Sequence, residues 1–346
     1  MSSGRNSSSG SLADLVPHFR RARRVVILSH AQPDGDALGS AIGLALGLRC
    51  VGKQPLAVFE GVPPHYDFLT EGSDSSTETD SVVKIVETSP GPDFFNEFDL
   101  GVVLDASDPP RVGNFEADFF GASFDKVCID HHLTEPLPVY VGHVIEPESA
   151  STGQLVLGLL DLLEVPLDRS IATALFVAMA TDTGWFRFGN TRPHVLEVAA
   201  RLLALGLQPD ELYSLIYERI SEARLHLQGV VQSSAVVELG GDFVYSCIDC
   251  QLLQTSGVQR AELEGVIDPL RTVAGSEVVA LLTEIAPQSW KISLRSRGLV
   301  RVDVIAKKLG GGGHAMAAGA RDQGTRDEVV GLLSKRVEEA LRDARS

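Results

Sequence analysis

Cysteine is scarce. Four cysteines in 346 residues stand in no spacing that gives a disulfide framework or a zinc site. Cys50 and Cys128 lie among apolar neighbours and read as small core residues. Cys247 and Cys250 form a lone CxxC, with no second pair or His pair to complete it, and read as core or strand-edge residues. Long apolar runs are also missing. The longest strongly apolar stretch, Ile171–Ala180 (IATALFVAMA), runs straight into Asp182 and is well short of the ~20 residues a membrane-spanning helix needs. Positive charge is short too. Lys and Arg number 30 against 46 Asp and Glu, a formal net charge of −16, which argues against a broad grip on long nucleic acid. The opening MSSGRNSSSG has no apolar run behind it and reads as a disordered tail without a signal peptide. The expectation is a cytoplasmic protein.

What is present is an ordinary globular composition. The apolar fraction of 44% can build full cores, and the length makes two domains the natural expectation. Short apolar runs, VVILS (25–29), LGVVL (100–104) and KVCI (126–129), read as buried strands. Helical patterns, ALGSAIGLALGL (37–48) and SIATALFVAMA (170–180), alternate with them. That alternation favours a parallel, helix-flanked sheet. The acidic stretch 71–81 reads as a loop and 209–232 as a helical connector. Strands follow at 243–248, 277–285 and 291–296, then a glycine run and a closing helix.

The three early strands share a feature. The first ends in SHAQPDGDALGS, with His30, Asp34 and Asp36; the second at Asp105, in VVLDASD; the third at CIDHHLTEP, with Asp130, His131 and His132. The helix 170–180 runs into Asp182. Each has a bland reading: Pro33 and Gly35 make a turn, Asp36 caps the next helix, Asp105 starts a loop, the histidines sit in a turn, and Asp182 caps the next element. The carboxyl ends of strands in an open parallel sheet line one crevice, however, where ligands bind. Four segments delivering carboxylate and imidazole to one edge favour a bound cation, since crowded carboxylates repel one another without one.

These motifs, HAQPDGDALGS, LDAS, DHH and TDTG in this order, resemble the DHH phosphoesterase superfamily. That superfamily includes RecJ-type exonucleases, manganese-dependent inorganic pyrophosphatases and nanoRNA/pAp phosphatases. The C-terminal segments KISLRSRG and VDVIAKKLGGGGHAMAAG resemble the DHH-associated C-terminal domain of the NrnA-like branch. The likeness runs from about Leu12 to about Leu341. It implies an α/β architecture: a disordered tail (1–11), a parallel-sheet catalytic domain (12–208), a helical linker (209–232) and a smaller α/β substrate domain (233–342), with the active site in the cleft. It further implies two divalent ions, Mn²⁺ with Mg²⁺ as the alternative. His30, Asp34 and Asp105 would hold one, and Asp36, Asp105, His131 and Asp182 the other, with Asp105 bridging. Such a pair acidifies a water and clamps the attacking and leaving oxygens of an in-line displacement. His132 would face the substrate and stabilise phosphoryl charge or assist the leaving group. Asp130 either orients the histidines or forms a strand-end turn.

The glycine run has its own reading. Gly311, Gly312 and Gly313 before His314 let the backbone approach an anion, forming a cradle or opening a helix, although a flexible turn before the last helix is the bland alternative. No Lys-Ser/Thr follows as in a P-loop. From Trp290 to Ala315 six basic residues face one acid, Asp303. From charge alone a solvated basic face explains that stretch. With the glycines, Arg295 and His314 point to an anion site, and the resemblance implies that this domain holds the part of the substrate away from the reacting phosphate. Glu262 and Glu264 resemble a family acidic pair or open a solvated helix, and Trp185 and Phe186 either stack on a base or pack in the core.

The expected activity is hydrolysis of short oligonucleotides and linear dinucleotides to 5′-mononucleotides, with removal of the 3′-phosphate of pAp. No long nucleic acid and no membrane are expected as partners, and a homodimer is. The alternatives are a manganese-dependent inorganic pyrophosphatase and a non-catalytic nucleotide sensor.

Overall fold

The computed structural model describes residues 10–71, 81–135, 137–263, 265–313 and 315–346. The expected tail, most of the acidic stretch 71–81, Glu264 and His314 lie outside the described residues. The chain divides into two compact units between Arg219 and Ile220. Among the described residues no helix is long and apolar enough to cross a membrane.

The first unit opens with α1 (Leu12–Arg21), β1 (Arg24–Leu28), α2 (Gly35–Cys50), β2 (Gln54–Phe59), β3 (Val83–Ile85), β4 (Leu100–Leu104), β5 (Asp125–Asp130) and β6 (Gly142–Ile145). It closes with α3 (Thr152–Leu162), α4 (Arg169–Asp182), α5 (Pro193–Leu203) and α6 (Pro209–Tyr217). The six strands are parallel in the order β3-β2-β1-β4-β5-β6. Strand order reverses between β1 and β4, which creates a crevice at their carboxyl ends. The two central strands are polar-free in β4 and from Val25 onward in β1 because both sheet faces are covered. Val25 and Ile27 enter a core with α2, α3 and α4, while Val26 and Leu28 join Phe95, Phe115 and Phe119 on the other side.

Helix α2 is buried on all sides from Gly35 to Leu48. Its glycines recur every fourth residue, on one face of the helix. A Cβ on Gly35 would collide with Thr181, and one on Gly39 with the Ala174 carbonyl. Absence of side chains there lets α2 and α4 touch backbone to backbone, so the start of α2 meets the end of α4. Cys50, expected in the core, is exposed at the last position of α2, whereas Cys128 is buried.

The second unit comprises α7 (Glu222–Ser233), β7 (Val236–Glu238), β8 (Phe243–Ile248), α8 (Cys250–Ser256), β9 (Val278–Ala286), β10 (Ser289–Ser296), α9 (Val302–Lys308), β11 (Gly312–Gly313), β12 (Ala317–Gln323) and α10 (Arg326–Arg345). Its sheet is mixed, in the order β11-β12-β10-β9-β8-β7, with β8 and β9 parallel and the other pairs antiparallel. Trp290, Ile292 and Leu294 of β10 pack into a core with Val302, Ile305 and the α10 residues Val329 and Leu333. Lys291 and Arg295 alternate to the opposite face. The stretch 209–232, expected as one connector, is two helices, with α6 in the first unit and α7 in the second.

The glycine run is neither a helix opening nor a turn before the last helix. Gly310 and Gly311 donate to the Lys307 and Ala306 carbonyls, closing α9. Gly312 and Gly313 then pair with Gly319 and Ala318 as an edge strand, and all of β12 intervenes before α10. A Cβ on Gly311 would strike the Gly319 carbonyl and one on Gly313 would strike Ala318, so the glycines let two backbones lie in close contact.

Candidate metal centre

The carboxyl ends of β1, β4 and β5 and the end of α4 converge. Beyond β1, Asp34 and not Asp36 caps α2; its Oδ1 accepts from the backbone N–H groups of Asp36 and Ala37, both at 3.1 Å. Asp36 lies inside the first turn, with its side chain turned inward and only 1% of the residue exposed. The expected capping role therefore passes to Asp34, the residue in extended conformation. His30 Nε2 lies 3.4 Å from Asp105 Oδ2 and 3.8 Å from Asp34 Oδ1.

Asp105 follows β4 in the left-handed region, at φ 59°. Strain of that kind at a strand end is a frequent mark of a working residue. The Asp105 Oδ1 atom lies 3.6 Å from His131 Nε2 and 3.4 Å from His132 Nδ1. His131 Nε2 is also 3.7 Å from Asp36 Oδ2 and 3.5 Å from Asp182 Oδ2. Its Nδ1 is 3.3 Å from the Ser149 carbonyl, which as a pure acceptor makes Nδ1 the protonated nitrogen and leaves the Nε2 lone pair toward the carboxylates.

Three overlapping ligand sets result: His30, Asp34 and Asp105; Asp36, His131 and Asp182; Asp105, His131 and His132. Asp105 belongs to two of them. Within each set the donor atoms lie within 4.8 Å of one another.

The electrostatics call for a cation. Burial, with the charges of Asp105, Asp182 and Asp34 added, holds Asp36 well above the usual carboxylate range. Burial together with Asp105 and Asp34 pushes Asp182 up to about 7, against the pull of His131. Burial opposes protonation of His30, yet the Asp105 and Asp34 carboxylates outweigh it and hold the imidazole up at about 9. Protons thus do part of the work that a divalent ion would do. Mixed carboxylate and imidazole donors, with carboxylates facing one another across a few ångströms, fit such an ion.

Beside the cluster, Asp130 is fully buried. Its Oδ1 accepts from the His132 backbone at 2.9 Å and from His132 Nδ1 at 2.7 Å; its Oδ2 accepts from the Ser107 backbone at 2.8 Å. Burial alone would raise the Asp130 pKa, but these partners, the His132 ring first, bring it to about 2. An ionised Asp130 makes His132 Nδ1 a donor, so while that bond holds this nitrogen is not a metal ligand. The same bond outweighs burial and raises the His132 pKa.

The sequence reading overlooked the start of α3. The backbone N–H groups of Thr152 and Gly153 donate to Asp36 Oδ2 and Oδ1 at 2.7 and 2.9 Å, and Ser40 Oγ donates to Oδ1 at 2.9 Å. A Cβ on Gly153 would collide with Ala178, so glycine is what lets α3 come this close. Ser-Thr-Gly ahead of an apolar run looks like an ordinary helix start, capped by Ser151, which hid its second task. Trp185 and Phe186, both at positive φ, pack on the Phe176 ring, and Trp185 also meets Tyr213 and Tyr217. Both rings pack against the core while staying partly exposed.

In the second unit, Arg295 is half-buried, with Nε 3.8 Å from Asp268 Oδ1 and Nη1 donating to the Leu294 carbonyl. It pairs across the sheet with Ala317 of β12, the neighbour of the Ala318 that pairs with Gly313.

Comparison with known proteins adds three findings. The model of the DHH family N-terminal domain matches residues 24–179 and that of the DHHA1 domain residues 240–343. A bifunctional oligoribonuclease and PAP phosphatase NrnA of Thermus thermophilus is 36% identical over 320 residues, covering 92% of this chain and 89% of that protein. Its Bacillus subtilis namesake is 26% identical, covering 86% and 88%. The crystal structure of an exopolyphosphatase-related protein from Bacteroides fragilis superposes with a TM-score of 0.85 at 24% identity, over 97% of both chains.

Proposed function

The chain belongs to the DHH family, and from that premise we propose that it is a cytoplasmic phosphoesterase that hydrolyses short oligonucleotides to 5′-mononucleotides and removes the 3′-phosphate of pAp. The observation that carries the reading is the convergence of Asp34, Asp36, Asp105 and Asp182 with His30 and His131 at the switch point of a parallel sheet. In support, the Thermus thermophilus relative with that pair of activities aligns with nearly the whole chain, including the second unit.

Two divalent ions, Mn²⁺ in this proposal, would acidify a water and offset charge building on the phosphoryl oxygens. His30, Asp34 and Asp105 would hold one ion, and Asp36, Asp105, His131 and Asp182 the other. Asp130 fixes the His132 ring and strengthens its hold on a proton. His132 Nε2 would then meet a phosphoryl oxygen or give its proton to the departing oxygen. Arg295, Gly311, Gly312, Gly313 and His314 would take the distal part of a short substrate, and a homodimer is the proposed assembly.

Product release from pApA, pAp and pyrophosphate, measured in parallel with Mn²⁺ and with chelator, tests the proposal. Metal-dependent AMP from the first two with pyrophosphate untouched is expected. Cleavage of pyrophosphate alone would keep the metal centre and reject the nucleotide substrate; binding of nucleotides without turnover would make the protein a sensor.

A further inference from the structure

Thr152 is fully buried and touches two carboxylates that arrive on different segments. Its backbone N–H donates to Asp36 Oδ2 at 2.7 Å, and its hydroxyl donates to Asp105 Oδ1 at 2.9 Å. Asp36 is already crowded: Ser40 Oγ and the Gly153 N–H occupy Oδ1. Of its four lone-pair positions, the one that remains is on Oδ2, the oxygen 3.7 Å from His131 Nε2. Asp105 is held less tightly. Its two oxygens face different neighbours, Oδ2 toward His30 at 3.4 Å and Oδ1 toward His131 at 3.6 Å. A carboxylate attached through a single Cβ–Cγ bond rotates with little resistance, so something must fix which oxygen serves which side.

We propose that Thr152 is a positioning residue for the metal centre: its hydroxyl fixes the rotation of the Asp105 carboxylate, so that Oδ2 serves the His30–Asp34 side and Oδ1 the Asp36–His131–Asp182 side. The same residue anchors Asp36 through its backbone, which ties the two carboxylates to one rigid helix end. This rests on the reading of the cluster as a metal centre. Loss of the hydroxyl leaves every proposed ligand in place and removes only the constraint on Asp105. Loss of an outer hydrogen-bond partner to a ligand lowers metal affinity by roughly 10–100-fold.

The test is Mn²⁺ titration of the chelated full chain, by calorimetry, for the wild type, Thr152→Val, Thr152→Ala and Thr152→Ser. Val keeps the β-branched shape and Ala avoids any clash, so at least one hydroxyl-free variant should fold, as checked by its melting temperature with chelator present. Both remove the hydroxyl while keeping the N–H groups on Asp36. The folded hydroxyl-free variants are expected to bind Mn²⁺ about tenfold or more weakly, and Thr152→Ser to return to within about threefold of the wild type, since it restores the donor. Wild-type affinity in a folded variant without the hydroxyl overturns the proposal and leaves the metal centre standing. A folded Thr152→Ser as weak as Thr152→Ala also overturns it, because the defect would then be one of packing. A wild type that takes up no Mn²⁺ overturns the metal centre and the proposal together.

Discussion

Asp105 can be tested without disturbing its backbone. Its φ of 59° suits asparagine as well as aspartate, so Asp105→Asn removes the charge and not the conformation. With the proposed bridging position neutral, kcat/KM for pAp is expected to fall by roughly 10³-fold or more, with the melting temperature of the chelated protein unchanged or higher. Turnover within about tenfold of the wild type would take Asp105 out of the centre. The raised groups also set the pH dependence of the metal-free protein. Asp182, at about 7, and Asp36 are both raised by burial first, and His30 is held at about 9 by its carboxylate neighbours against burial. Each contributes stability that is complete below its unfolded pKa and disappears as pH rises through its folded one. Asp34, brought to about 2 by His30 against burial, and Asp130, also at about 2, act the other way, losing their contribution only as pH falls from about 4 toward 2. With chelator present the melting temperature should therefore drop between about pH 5 and about pH 9, and the rise caused by Mn²⁺ should be larger at the upper end. A chelated protein that gains stability over that interval would contradict these shifts. At this scale the residues that cluster were legible because His and Asp in turns have no apolar duty to explain them. The roles of Asp34 and Thr152 were not. Which Asp caps α2 depends on backbone angles, and the target of the Thr152 hydroxyl lies 47 positions away in sequence.

The elements that place the site differ in how plainly they were written. The strands β4 and β8 matched their expected bounds, because a short, largely apolar run flanked by polar residues has few other uses. β2 opens on Gln54-Pro55 and keeps its branched and aromatic residues, Val58 and Phe59, for its end, and β12 reads AAGARDQ with none at all, so tertiary pairing is what reveals them. The glycines of α2 look like helix weakeners by propensity. Gly35, Gly39 and Gly43 serve the contact with α4, which brings the start of α2 and the end of α4 together, and Gly47 meets Leu160 of α3. Gly39→Ala is therefore expected to destabilise, by about 1–3 kcal/mol, despite the gain in helix propensity, because its new methyl would meet the Ala174 carbonyl. Mn²⁺ affinity should fall with it. Gly229 in α7 is the control: a Cβ there meets nothing within 4 Å, so Gly229→Ala should be neutral or stabilise by up to about 1 kcal/mol. Thermal melts of the two variants with chelator decide it, and equal effects would remove the packing argument.

For the whole molecule, charge decides what can bind. A net −16 repels polyanions, whereas the second sheet's other face, covered on β8 and β9 by the core around Val244 and Leu281, is locally basic where it is exposed: Lys291 and Arg295 alternate with core residues on β10, and Arg321 of β12 lies opposite Lys291. A short substrate with few phosphates can use such a patch without meeting the acidic remainder. The sequence disclosed this patch as a run of basic residues but not its form, since a glycine run reads as a turn until its partner strand is known. If Arg295 grips the distal phosphate, Arg295→Ala removes a charge-assisted pair worth about 1.5–3 kcal/mol. KM for pApA should rise by about tenfold or more, and kcat should change much less, since the proposed reacting groups lie in the first unit. Mn²⁺ affinity should stay as it is and the melting temperature should move little, because this half-exposed side chain loses a 3.8 Å ion pair with Asp268 and a hydrogen bond to the adjacent Leu294 carbonyl. Raising salt should weaken pApA binding in the wild type more than in the variant. An unchanged KM with an unchanged salt response would free Arg295 of any substrate role and return the basic face to solvent, while leaving the metal centre of the first unit untouched.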